Sequence, residues 1–151
     1  PYRAQEVGDV LERTGVPVVV SSKIEVELWR KLMLNVAINP LSALTGLDTR
    51  VLSHDPAFAG ALALLMREAQ VVGVASGVPL RDADAQEMFD LIRGFEGIKT
   101  SMLVDREKGR PLELSALSGA VLRRAAEHDV AVPMTALVHG LVERMDGVTI
   151  A

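Results

Sequence analysis

The chain has 151 residues, 49% of them hydrophobic but only 3% aromatic, with a mean hydropathy of +0.26. That is material for one core built from aliphatic side chains, which points to packed helices, an all-α fold, rather than to an aromatic-rich sandwich. Sixteen Lys and Arg against twenty Asp and Glu leave a formal net charge of −4, too little positive charge for a phosphate-binding face, so nucleic acid is excluded as a partner.

Cysteine is absent, which removes disulfides and thiolate metal sites and fits a cytoplasmic protein. The longest apolar run, 57–66, is about half the ~20 residues of a bilayer span, so no membrane partner is expected.

In chain order, the first expected helix runs over 4–13 and stops at Gly15. Val16-Pro17-Val18-Val19-Val20 follows, a β-branched run that is the one good strand signal. A lone strand cannot satisfy its backbone groups, so residues 1–22 read as a helix-strand tail of an upstream domain that carries the rest of the sheet.

From Ser22 the apolar period becomes helical, with Ile24, Leu28, Leu32 and Ile38 at helical spacings, Ser21 or Ser22 as N-cap and Glu25 near the third position. One long helix over 23–44 is expected, bent or broken at Pro40, which removes a bond to the carbonyl of Val36. It opens a helical domain over 23–148. Asp55-Pro56 then supplies an N-cap and a first-turn proline for a second long helix ending near Ser76-Gly77.

A third helix spans 83–93, with Met88, Leu91, Ile92 and Phe95 on one side, and a short one covers 100–106. Residues 107–111 make a turn. Leu114, Leu117, Val121 and Ala125 mark a helix up to His128. The last begins at Val132-Pro133, with Met134, Leu137, Leu141 and Met145 facing inward.

Chemistry is sought where a polar residue occupies an apolar pattern. From Leu32 to Ile38 every residue except Asn35 is apolar. Lys31, Asn35 and Asn39 stand at i, i+4 and i+8, a drift of about 80° on a 3.6-residue helix, and so share one side. An unpaired buried amide costs about 1–3 kcal/mol, so this stripe belongs beside water, a partner or a ligand. Each residue alone has a plainer explanation. A lysine commonly packs its stem and extends its head into solvent, and an asparagine before proline can bond nearby backbone.

The blocks Glu27-Leu-Trp29-Arg-Lys31-Leu, Asn35 and Asn39-Pro-Leu-Ser-Ala-Leu-Thr-Gly46 resemble the opening helix of the C-terminal domain of ketopantoate reductases. Further on, Thr100-Ser-Met-Leu-Val-Asp105, Gly109-Arg-Pro-Leu-Glu113 and Leu117-Ser-Gly119 are similar to that family's later signatures, in the same order, and Val130-Ala-Val-Pro133 leads into the last helix. The resemblance covers nearly the whole chain. It implies a multi-helix domain of the 6-phosphogluconate dehydrogenase C-terminal-like type that closes over an upstream Rossmann domain.

It also implies an activity: reduction of 2-dehydropantoate to pantoate with NADPH, on the route to pantothenate and coenzyme A, with the nucleotide bound mainly upstream. Lys31 matches the catalytic lysine. Asn35, Asn39 and Ser101 match substrate-holding residues, and Glu113 matches a glutamate that contacts the cofactor or the lysine's network. An ammonium suits this chemistry, because hydride addition leaves negative charge on the ketone oxygen, which then takes a proton.

No metal is expected, since His54, His128 and His139 lack ligand spacing. The family commonly carries Asn near the positions of Thr49 and Ile98, and these departures point to a second option, a reductase of another branched 2-keto acid. A third is a free-standing helical module, and exposure of a domain face makes a homodimer a possible partner arrangement.

Overall fold

A computed structural model describes residues 2–146; the end of the helical domain, expected at 148, lies outside them. Eight helices are formed among these residues: α1 (Tyr2–Glu12), α2 (Ile24–Thr45), α3 (Thr49–His54), α4 (Pro56–Ala75), α5 (Asp84–Arg93), α6 (Ser101–Glu107), α7 (Ser118–Glu127) and α8 (Pro133–Asp146).

Several boundaries follow from their capping chemistry. The Asp55 carboxylate accepts from the Ala57 N–H at 2.8 Å and Pro56 occupies the first turn of α4, where a missing N–H does no harm. Thr100 caps α6 through Leu103 N–H. Gly46 ends α2 in the left-handed region at φ 74°, a conformation that glycine adopts without steric cost. At the start of α2 the capping position is Lys23, not a serine, and Ser21 Oγ instead accepts from the Lys23 N–H at 3.0 Å.

The core is assembled around α2 and α4, which pack on each other. Met33, Val36, Ala37 and Ile38 of α2 meet Leu62, Leu65, Met66, Ala69 and Val72 of α4, and Met88, Ile92, Val121 and Val138 close the cluster from α5, α7 and α8. By length and composition α4 could cross a bilayer. Here it is a core helix that also buries Gln70 and Glu68.

Glu68 reaches the start of α8, where its carboxylate accepts from the N–H groups of Met134 and Thr135 at 2.9 and 2.7 Å and from Thr135 Oγ1 at 2.6 Å. A carboxylate from one helix thus satisfies the orphan donors of another, at the end where the helix dipole favours negative charge.

Four expectations need correction. The run 16–20 joins no ladder among the described residues; it folds back on α1, with Val18 and Val20 against Gly8. Without neighbouring strands its β-branched residues have nothing to pair with, and Val19 remains 87% exposed. Pro40 does not break α2, because residues 36–43 are buried around it and packing outweighs the lost bond. On α8 the buried residues are Thr135, Val138 and Val142, while Leu137 and Leu141 are 58% and 49% exposed. Leu91 of α5 likewise points outward.

Candidate functional site

Burial along α2 changes lengthwise. Its first turns, with Ile24, Leu28 and Lys31, are exposed; Asn35 is half-buried; Asn39 is 6% exposed. The three polar residues therefore run from solvent into the body of the domain along one side of a single helix.

Among the described residues, none of the Lys31, Asn35 and Asn39 side chains has a hydrogen-bond partner or an ion pair. Ser76 Oγ is the sealed side-chain polar atom without a partner there; the Asn39 carboxamide is not sealed in that way. The alternative in which Asn39 bonds backbone next to Pro40 is not realised among these residues. Lys31 is exposed, as is Leu28 one turn before it.

The next step of the same series is Ala43, fully buried in a small cluster with Met102 of α6, Leu114 and Val142 of α8. Arg106 of α6 also donates to the Ala43 carbonyl. Ser101, the first residue of α6, precedes Met102; Glu113, in the connection before α7, precedes Leu114. Both are exposed, and each adjoins a residue packed at the inner end of the α2 stripe. Glu113 forms no ion pair among the described residues.

The outer half of α2 is fixed by charge and by a close approach. Arg30 pairs with the buried Asp84 and, at 2.8 Å, with Glu87; Arg81 bonds the same two carboxylates at 2.7 and 2.6 Å. Burial pushes the Asp84 carboxyl up, but the Arg81 backbone N–H and guanidinium, with the charges of Arg30 and Arg81, outweigh it and hold it below the usual carboxylate range. Hydrogen bonds from Arg30 and then Arg81 hold Glu87 down. Those same carboxylates raise Arg81. Nearby, the Trp29 ring lies against Gly73 of α4, where an added Cβ would stand 2.9 Å from Trp29 Cε3 and 2.6 Å from Leu80 Cδ1.

Sequence reasoning missed α3, and with it a contact. Asp48 caps α3 by accepting from the Val51 N–H at 2.9 Å, an Asp-Thr start that is a readable signal once a six-residue helix is admitted. Thr49, 2% exposed, donates its hydroxyl to the Glu96 carbonyl at 3.0 Å and accepts from the Ile98 N–H at 3.2 Å. Its own N–H donates to the Ile98 carbonyl at 3.1 Å. The two positions that depart from the family pattern are therefore partners.

Two hollows lie elsewhere: one of about 420 Å³ lined by residues 22–26 and Pro79, and one of about 290 Å³ on the outer side of α4 beside Arg67 and Val74. No cluster of three or more His, Asp or Glu side chains suited to a metal occurs among the described residues.

Residues 23–146 match the family model described as ketopantoate reductase PanE/ApbA C terminal. A 2-dehydropantoate 2-reductase of Mesorhizobium japonicum is 32% identical over 146 residues, which is 95% of this chain and 44% of the relative. The solved 2-dehydropantoate 2-reductase of Methylococcus capsulatus is similar with a TM-score of 0.88 and 30% identity, over 99% of this chain and 49% of that one. D-mandelate dehydrogenase, solved with NADH and anilino(oxo)acetate, shares the fold at a TM-score of 0.88 and 22% identity, over 96% of this chain and 48% of its own. The chain thus spans about half the length of the relatives it matches.

Proposed function

Because the chain belongs to the ketopantoate reductase C-terminal family, we propose that it is the substrate-binding half of a nicotinamide-dependent 2-dehydropantoate 2-reductase. Residues 1–22 then belong to the tail of an upstream Rossmann domain, which binds NADPH, and the active site lies between the two halves of a cytoplasmic enzyme.

The observation that carries this reading is the unpartnered stripe on α2. Three polar side chains with no bond to a described residue line one side of α2, and Asn39, 6% exposed, is the one with least access to water and most to gain from a polar ligand. Asn35 and Asn39 each offer a donor and an acceptor, which suits a molecule with hydroxyl, carboxylate and keto oxygens. Ser101 adds a hydroxyl from α6.

Lys31 is the proton donor. A bound reduced nicotinamide would supply hydride to the ketone carbon, and the Lys31 ammonium would stabilise the negative charge left on the oxygen and give it a proton. Its exposure in this half is compatible with that role, because closure of the nucleotide domain would supply the second wall and exclude water. Glu113 is assigned to the cofactor side of the cleft.

The test uses the full-length protein with NADPH and 2-dehydropantoate. Lys31→Ala should lower kcat by roughly 10²–10⁴ with a smaller effect on KM; a kcat within a few-fold of wild type would show that Lys31 does not donate the proton. Thr49 and Ile98 favour a second reading, reduction of another branched 2-keto acid, and comparing kcat/KM across a series of such acids decides between them.

A further inference from the structure

We propose that Thr49 is a positioning residue that latches the connection between α5 and α6 and thereby sets where Ser101 meets the substrate; this rests on the reductase reading above. Position 49 is buried at the first turn of α3, and every polar group it offers toward residues 96–98 is engaged. Its hydroxyl donates to Glu96 O at 3.0 Å and accepts from Ile98 N at 3.2 Å, and its N–H donates to Ile98 O at 3.1 Å. One side chain and its own amide therefore fix two residues of a connection that has no regular structure of its own.

The same segment is gripped from a second direction. A Cβ added at Gly97 would lie 2.9 Å from Asp48 Oδ2 and 3.2 Å from its Cγ. That carboxylate is not free to retreat, since its Oδ1 caps α3 at Val51. The backbone at 97 can lie this close only because it carries no side chain.

What the latch holds is the entry to α6. Ile98 is two residues before Thr100, the α6 N-cap, and Ser101 follows directly. Lys99 is further tied across α6 to Glu107 at 2.6 Å. On the far side Met102 and Leu103 are buried against the domain, so Ser101 is held between a packed turn and a latched strand of backbone. A displacement of about 1 Å in such a group is enough to weaken substrate binding.

The arrangement also redefines the departure from the family pattern. The Thr49 hydroxyl is used up within the protein, so it gives the substrate no donor; its contribution is to the place of its neighbour three residues beyond Ile98.

The experiment is steady-state kinetics on the full-length protein with NADPH and the best 2-keto acid. Thr49→Val keeps the shape and removes the hydroxyl. It should raise KM for the keto acid about tenfold, as loss of one well-placed hydrogen bond does, while kcat and KM for NADPH change little and amide exchange at Ile98 accelerates. Thr49→Ser should restore the wild-type KM.

Gly97→Ala, which disturbs the segment without touching Thr49, should give the same split and decides the matter where Thr49→Val does not fold. Unchanged KM for the keto acid in both variants, or equal losses in kcat and both KM values, would overturn the latch while leaving the reductase reading in place. A wild-type protein that turns over no 2-keto acid would remove the reductase reading and the latch's role with it.

Discussion

Asn39 states the conflict between folding and binding most sharply. A carboxamide 6% exposed and unpaired among the described residues contributes less to the fold than a well-packed apolar side chain would, and a polar ligand would complete it. Asn39→Leu, of similar size, should therefore raise the melting temperature of the full-length protein, by about 1 kcal/mol in stability, while raising KM for the keto acid. Thermal unfolding and kinetics on the same sample check both halves; a destabilised variant would show that Asn39 is a structural amide. This residue was legible in the sequence, because a polar position inside an apolar helix is visible without coordinates. Thr49 was not. Its significance depends on a segment 47 residues away in sequence, and no local pattern reports such a pairing.

Among the elements, α4 governs the packing of its neighbours through two residues of opposite character. At Gly73 the Trp29 ring and Leu80 fill the space of a side chain, so Gly73→Ala should cost about 1–3 kcal/mol by overpacking, read as a lower midpoint in a denaturant titration. At Glu68 the cost is electrostatic. Removing the carboxylate in Glu68→Ala strands the buried donors at the start of α8, and about 2–4 kcal/mol should be lost; a variant within about 0.5 kcal/mol of wild type would show that water satisfies those donors equally well.

Helix periodicity and the Asp55-Pro56 cap made α4 readable, as they did most of α2. The α8 register was misjudged because Leu137 and Leu141 share a helical spacing with Met134 and Met145, and the smaller Val138 and Val142 compete one position away. Packing volume, which periodicity ignores, chose the valines. The β-branched run 16–20 misled in another way, since side-chain preference cannot supply a neighbouring strand.

For the molecule as a whole, acid is the informative perturbant. Asp84 and Glu87 have folded-state pKa values below their ordinary ones, so in the unfolded chain they bind protons first. Their contribution is complete above about pH 5, where both states are ionised, and is lost as pH falls through the depressed folded values. Stability should therefore decline on acidification below the ordinary carboxylate range, and Asp84→Asn should flatten that decline. Urea midpoints measured between about pH 6 and pH 3 check the slope; parallel curves for wild type and variant would remove the Arg30 and Arg81 pairs from the acid response.

The lengthwise gradient of α2 separates two kinds of information in one helix. Its inner half is keyed to the core, whereas its outer half sets the azimuth of Lys31 while docking Trp29 at Gly73 and Arg30 at Asp84. Inserting a single alanine directly after Lys31 would swing the ammonium by about 100° and lift it about 1.5 Å, leaving residues 32–43 in register with α4 but turning Trp29 and Arg30 away from Gly73 and Asp84. Turnover should vanish and the melting temperature should fall together, because the turns that aim the ammonium also seat the helix.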